Sequence, residues 1–100
     1  MAINAKQFRD EILEENTCLI DVRTPSEYNA GHIKGSVNIP VDKFPLSQEI
    51  KDLDRNRKIR LYCHSGGRSA MAKMILNSMK FTDVDDLKDG IIGWPYEIER

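Results

Sequence analysis

Two short apolar runs constrain the chain more than anything else in it. Cys18-Leu19-Ile20-Asp21-Val22 and Ile59 to Tyr62 are the kind of run that a strand buried in a parallel sheet shows. Around them, apolar residues recur at helical spacing. Ala5, Phe8 and Ile12, with Leu13 beside them, mark a first helix ending near Glu15-Asn16, with Asn4 as its cap and Gln7 three residues on, as in a capping box. Met71, Met74, Ile75 and Ser78 mark one face of another helix, which runs to about Met79. Ala70, Ala72 and Leu76 widen that face, so the helix reads as largely buried, with its methionines as core filler. Strands alternating with helices imply an α/β fold: an open, mostly parallel sheet covered on both faces. In such sheets ligands bind beyond the carboxyl ends of the strands.

The connections carry their own signals. Met1 to Ile3 fits a short edge strand. Thr24-Pro25-Ser26-Glu27 is a helix start, with a cap, a proline at the first helical position and a glutamate at the third; the helix runs to about Ala30, where Gly31 stops it, and Tyr28 is its inward anchor. Asp21 and Arg23 alternate onto one side of their strand. With Glu27 they read as ion pairs tying strand to helix rather than as a catalytic cluster. Gly31 to Gly35 is a loop. Its His32 is a candidate general base on composition alone, but reads instead as a histidine bonded to loop backbone, because nothing else in the stretch supplies a triad. Ser36 to Ile39 is a short strand stopped by Pro40, and Phe44, Leu46, Ile50 and Leu53 suggest a short amphipathic helix after Pro45. Asp54 to Lys58 is a solvated turn. Arg60, in mid-strand, needs a partner or a route to solvent. Phe81 to Leu87 contains another short strand around Val84, Asp89-Gly90 turns the chain, and Trp94 is a packing anchor.

The chemistry sits in Tyr62-Cys63-His64-Ser65-Gly66-Gly67-Arg68-Ser69. A cysteine at the end of a strand there meets a tight, glycine-bearing turn that leads into a helix. Turn N–H groups and the first N–H groups of the helix lack intrahelical partners and can hold an anion. The helix end and Arg68 both favour negative charge, which biases Cys63 toward thiolate. A thiol of pKa about 8.5 is only a few per cent ionised at pH 7; lowering it by about 2 units makes it mostly thiolate. The plainer alternative is a buried structural cysteine before a helix capped by Ser69 or Ser65. Cys63 reads as a nucleophile because the two glycines, the arginine and the strand-to-helix position converge on it.

The rest of the composition narrows the field. One hundred residues make one domain, 1–100, able to bury a core without staples. A net charge of −1 with 31% charged residues gives no argument for nucleic acid or membrane as a partner. Cys18 and Cys63 form no CxxC pair, and with two histidines there is no zinc-like spacing, so neither metal nor cofactor is expected. Cys18 reads as a core residue. The cysteine usage, and a polar start unlike a signal peptide, fit a cytoplasmic protein.

These motifs together resemble the single-domain rhodaneses, a family of sulfurtransferases. Leu19-Ile20-Asp21-Val22-Arg23 with Glu27-Tyr28, Gly31-His32-Ile33 and Gly35 resembles the family's first signature. The Cys63 stretch resembles its active-site loop, and Gly90-Ile91-Ile92-Gly93-Trp94 its closing motif. The resemblance implies a five-stranded parallel sheet with helices on both sides. It implies that Cys63 carries a persulfide during turnover, cradled by the backbone of His64, Ser65, Gly66, Gly67 and Arg68. The partners it implies are a small sulfur anion such as thiosulfate and a thiol or cyanide acceptor, with a protein sulfur acceptor as a further candidate. Three positions depart from the pattern: Arg60 replaces an apolar strand residue, Lys80 stands where glycine often precedes the aromatic, and Asp89 replaces the first of a glycine pair. A cysteine phosphatase or arsenate reductase uses a similar cradle. Its loop has five residues between cysteine and arginine where this one has four, and the smaller loop suits a sulfur atom. A binding module, or a persulfide carrier serving one protein partner, is the other alternative.

Overall fold

The computed structural model describes residues 2–100. The elements in order are α1 (Ala5–Ile12), β1 (Thr17–Asp21), α2 (Pro25–Ala30), β2 (Val37–Asn38), a 3-10 helix (Val41–Leu46), α3 (Gln48–Lys51), β3 (Lys58–Tyr62), α4 (Gly67–Ser78), β4 (Val84–Asp86) and a 3-10 turn (Ile91–Gly93). The strands lie in the order β2-β1-β3-β4, and every pairing is parallel. Asp21 is level with Tyr62, and Leu61 with Asp86, so the carboxyl ends of the three longer strands finish together along one edge.

The sheet has four strands, not the expected five. In the fifth place there is a single parallel bridge between Ile3 and Leu87, made by Ile3 N–H to Asp86 O (2.9 Å) and Lys88 N–H to Ile3 O (2.8 Å). Asn4 ends the extension at once: its side chain accepts the Gln7 N–H and starts α1. Met1, the other end of the expected edge strand, lies outside the described residues. Gln7 does not complete a capping box, because its side chain bonds Glu11 instead.

Alternation along the strands sends side chains to two cores. Ile20, Val22, Ile59, Leu61, Cys63 and Val84 face one side, where Phe44, Ile50, Ala72, Leu76 and Phe81 cover them. Leu19 and Tyr62 face the other, where Phe8, Ile33 and Leu87 close over them with Trp94 alongside. The Trp94 ring meets Phe8 edge to face at 5.9 Å. Cys18 packs half-buried at the margin of the first core.

The expectation for α4 needs correction. Met71 and Met74 are 56% and 72% exposed and fill no core; the buried stripe is Ser69, Ala72 and Leu76. A single sheet face covers one stripe of a helix, and both methionines project beyond it. The first helix is also shorter than its apolar spacing suggested, stopping at Ile12 and leaving Leu13 in solvent. Lys80 takes the left-handed conformation (φ 76°) that glycine adopts freely. It holds the C-terminal turn of α4: Lys80 N–H bonds Asn77 O, and Phe81 N–H bonds Leu76 O.

Arg60 finds its partners under α1. Its guanidinium pairs with Glu11, with Asp83 Oδ1 (3.0 Å) and with the carbonyl of Ile59. A charge in mid-strand is thus tolerated because α1 brings a carboxylate down onto it. Among the described residues, no helix is long and apolar enough to cross a membrane.

Candidate active site

Cys63 directly follows β3, and α4 begins at Gly67. The intervening turn depends on Gly66, whose φ of 111° lies in the left-handed region. A Cβ on Gly66 would come within 2.6 Å of the Lys88 carbonyl, so the position has no room for a side chain. Gly66 is the N-cap of α4 and no side chain caps the helix, so neither Ser65 nor Ser69 takes that part. The turn folds back onto the cysteine instead. Gly66 N–H donates to Cys63 Sγ at 3.1 Å, and Ser69 Oγ lies 3.5 Å from the same sulfur.

Burial pushes the Cys63 thiol up. Hydrogen bonds from the Ser69 hydroxyl and from the backbone N–H groups of Ser69, Gly66 and Ser65 outweigh that, and the net shift is downward from an ordinary thiol. Cys63 is only 1% exposed, whereas His64 and Ser65 stand in solvent. The sulfur is therefore shielded beneath the loop, while the loop's outer residues face solvent.

The outer side of the loop is tied to the end of the chain. Ile91 N–H donates to the carbonyl of Cys63 (2.9 Å) and Ile92 N–H to that of His64 (3.1 Å). Turning both carbonyls outward leaves the N–H side of the loop facing the sulfur. Gly90 (φ 68°, ψ −171°) makes this approach possible, since a Cβ there would collide with the His64 carbonyl and reach Ser65 N at 2.6 Å.

Arg68 is placed differently from the other loop residues. Its guanidinium binds Glu27 in two parallel contacts, Nη1 to Oε1 at 2.7 Å and Nη2 to Oε2 at 2.9 Å. The Arg68 guanidinium, helped by the Thr24 cap, holds the Glu27 carboxyl well below the usual range, at about 2. Glu27 thus joins α2 to the first turn of α4, while Asp21 and Arg23 make a separate buried pair (Nη2 to Oδ2 2.7 Å), with Arg23 also donating to Gly31 O at 2.6 Å. The three residues that looked like one cluster serve two functions. Nothing local in the sequence joins Glu27 to Arg68, which are 41 residues apart. His32 stacks on Tyr28 (3.9 Å) and its Nδ1 lies 2.9 Å from the Tyr28 carbonyl, so the backbone that holds the ring is that of α2 rather than of its own loop.

A cysteine at a strand edge, with its sulfur hydrogen-bonded by the start of a helix, defines a class of α/β domain suited to nucleophilic sulfur or to bound anions. Comparison with known proteins resolves the class. The model of the rhodanese-like domain matches residues 4–96, and the chain belongs to that family. It is 37% identical over 73 residues to the thiosulfate sulfurtransferase PspE of Escherichia coli (strain K12), covering 70% of each chain. It is 31% identical over 98 residues to the putative sulfur carrier protein YrkF of Bacillus subtilis (strain 168), covering 97% of this chain and 52% of that one. Among solved structures, a rhodanese-related protein from Thermoplasma volcanium superposes with a TM-score of 0.84 at 31% identity, covering 98% of this chain and 96% of that one.

Proposed function

We propose that this chain is a sulfurtransferase that carries a sulfane sulfur on Cys63. The observation that supports this most is the Gly66 N–H on the Cys63 sulfur at 3.1 Å, at the turn between β3 and α4. The Cys63 thiolate attacks the outer sulfur of thiosulfate. The sulfur–sulfur bond of thiosulfate breaks, and sulfite leaves with the electron pair. Sulfite needs no proton to depart, so the step requires no general acid. The enzyme then holds Cys63–S–S⁻, whose terminal sulfur takes up hydrogen bonds from the backbone of His64 to Arg68. Cyanide or a thiolate attacks that sulfur, and the electrons of the Cys63 sulfur–sulfur bond return to Cys63. The cycle is covalent and two-step.

The similarity to a putative sulfur carrier over 97% of this chain favours a second reading, in which the acceptor is one protein partner and thiosulfate chemistry is incidental. Intact mass after brief incubation with thiosulfate tests both. The expected result is one sulfur gained, absent in Cys63→Ser, and released as thiocyanate on adding cyanide. Sulfur gained but not released to cyanide would favour the carrier. No sulfur gained, with the thiol still open to alkylation, would overturn both and send the search to phosphate esters.

A further inference from the structure

A third buried group stands behind the nucleophile. Asp86, the last residue of β4, is buried, and Ser69 Oγ is its hydrogen-bond partner at 3.4 Å. The same oxygen lies 3.5 Å from Cys63 Sγ and 3.2 Å from the Gly66 carbonyl. Thiol, hydroxyl and carboxyl thus form a row, with the residue after β3, α4 and β4 each contributing one member. The register that levels Leu61 with Asp86 puts the carboxyl beside the end of β3. Ser69 has one proton and three acceptors within reach, so what Asp86 does with that proton decides what Cys63 receives.

We propose that Asp86 is a positioning residue for Cys63, sharing one negative charge with it through the Ser69 hydroxyl. The inference rests on the reading of Cys63 as the nucleophile. With Asp86 protonated, its O–H donates to Ser69 Oγ, and the Ser69 proton is free to donate to the thiolate. With Asp86 ionised, the carboxylate accepts the Ser69 proton, the hydroxyl turns a lone pair to the sulfur, and Cys63 keeps its own proton. No proton enters or leaves between these two arrangements; it only changes place. Burial pushes the Asp86 carboxyl above its ordinary range. Lys73 of α4, which binds Asp85 Oδ1 at 2.9 Å, and the Ser69 hydroxyl pull it back in part, while Asp85 adds to the rise. The Cys63 thiol is lowered and the Asp86 carboxyl raised, and the Ser69 hydroxyl in contact with both is the geometric link between them.

The test is the rate of Cys63 alkylation by iodoacetamide against pH, followed on the intact chain with Cys18 replaced by alanine. The wild-type profile is expected to rise in two steps. Asp86→Asn keeps the shape and removes the charge. It should give one step at lower pH, with alkylation below that midpoint about tenfold faster, equivalent to about one pKa unit. On a Ser69→Ala background the same change should have a much smaller effect. A single-step wild-type profile, or an Asp86→Asn profile that matches wild type while only the unfolding temperature falls, would overturn the inference. A shift of full size without Ser69 would overturn the relay in favour of direct charge repulsion. Were Asp86→Asn unable to fold, the wild-type profile alone would still decide. Alkylation needs no persulfide, so a chain that shows two steps but takes up no sulfur loses the sulfurtransferase reading and keeps this one.

Discussion

Replacing Gly90 with alanine should disable the cysteine loop from a position that never touches the sulfur. The added Cβ would collide with the backbone carbonyl of His64 and come within 2.6 Å of Ser65 N. Both are main-chain atoms, with no rotamer through which to move aside. The backbone at φ 68°, ψ −171° is in addition a conformation that only glycine adopts readily, which costs about 1–3 kcal/mol for any other residue. Overpacking against fixed backbone adds about 1–3 kcal/mol. The sum, about 2–6 kcal/mol, is a large share of the roughly 5–15 kcal/mol that stabilises a domain. At its lower end it lowers the unfolding temperature of a chain this size by about 8–16 °C. If the chain still folds, the relief is a shift of His64 and Ser65, which takes N–H groups off the Cys63 sulfur and slows its alkylation at neutral pH. Gly67 supplies the contrast. It opens α4, and no atom beyond its chain neighbours and its own helix backbone lies within 4 Å of its ideal Cβ. Gly67→Ala should raise the unfolding temperature, since alanine at a compatible site stabilises by about 0.4–1 kcal/mol. The assay is calorimetric unfolding of both variants, with alkylation kinetics for Gly90→Ala. A Gly90→Ala protein with wild-type unfolding temperature and alkylation rate would refute the reasoning.

The remaining predictions concern charge. Lowering the Glu27 carboxyl from 4.5 to about 2 would amount to about 3.4 kcal/mol if the pair were buried. Side-chain exposures of 33% for Glu27 and 37% for Arg68 reduce this to about 1 kcal/mol through solvent screening. Because the folded value is depressed, this stability is fully present above pH 4.5 and is lost as pH falls toward about 2. Glu27→Gln should therefore be less stable than wild type in urea at pH 7, with the gap narrowing below pH 4.5; a constant gap across that range would exclude the ion pair as its cause. Arg60→Ala takes the cation from Glu11 of α1, which among the described residues keeps only its Gln7 hydrogen bond, and should cost about 3–5 kcal/mol, whereas Arg60→Leu combined with Glu11→Leu should recover most of it. Urea midpoints of the three proteins check this, and a double variant no better than Arg60→Ala would show that packing, not charge, sets the loss.

Features written in consecutive residues were legible in the chain, and features made by meeting residues were not. The Thr24 cap and Glu27 form the capping box that their spacing implies. Gly66 turns between a strand and a helix as the Cys63 stretch suggests, because both signals are local. Arg68 read as a free cation for an anion, since its partner arrives from α2 only when β1 and β3 are in register. Ser69 was visible as a capping candidate, but its contacts with Cys63 and Asp86 depend on how three elements converge. The shortfall in the sheet has a local cause that an apolar pattern does not show: Asn4 starts a helix before a fifth strand can lengthen. Met71 and Met74 illustrate the reverse error, in which helical spacing identifies a stripe without saying how wide a face the sheet will cover.

The bonds from Ile91 and Ile92 to the carbonyls of Cys63 and His64 also set a timetable. During synthesis at about 5–20 residues per second, roughly 1.5–6 s separate the addition of Cys63 from that of Ile92. Throughout that interval the thiol belongs to a chain that cannot yet orient the turn around it. An emerging Cys63 is therefore an ordinary cysteine, weakly ionised and open to oxidants or stray electrophiles. The loop takes its final form only after all four strands have been delivered.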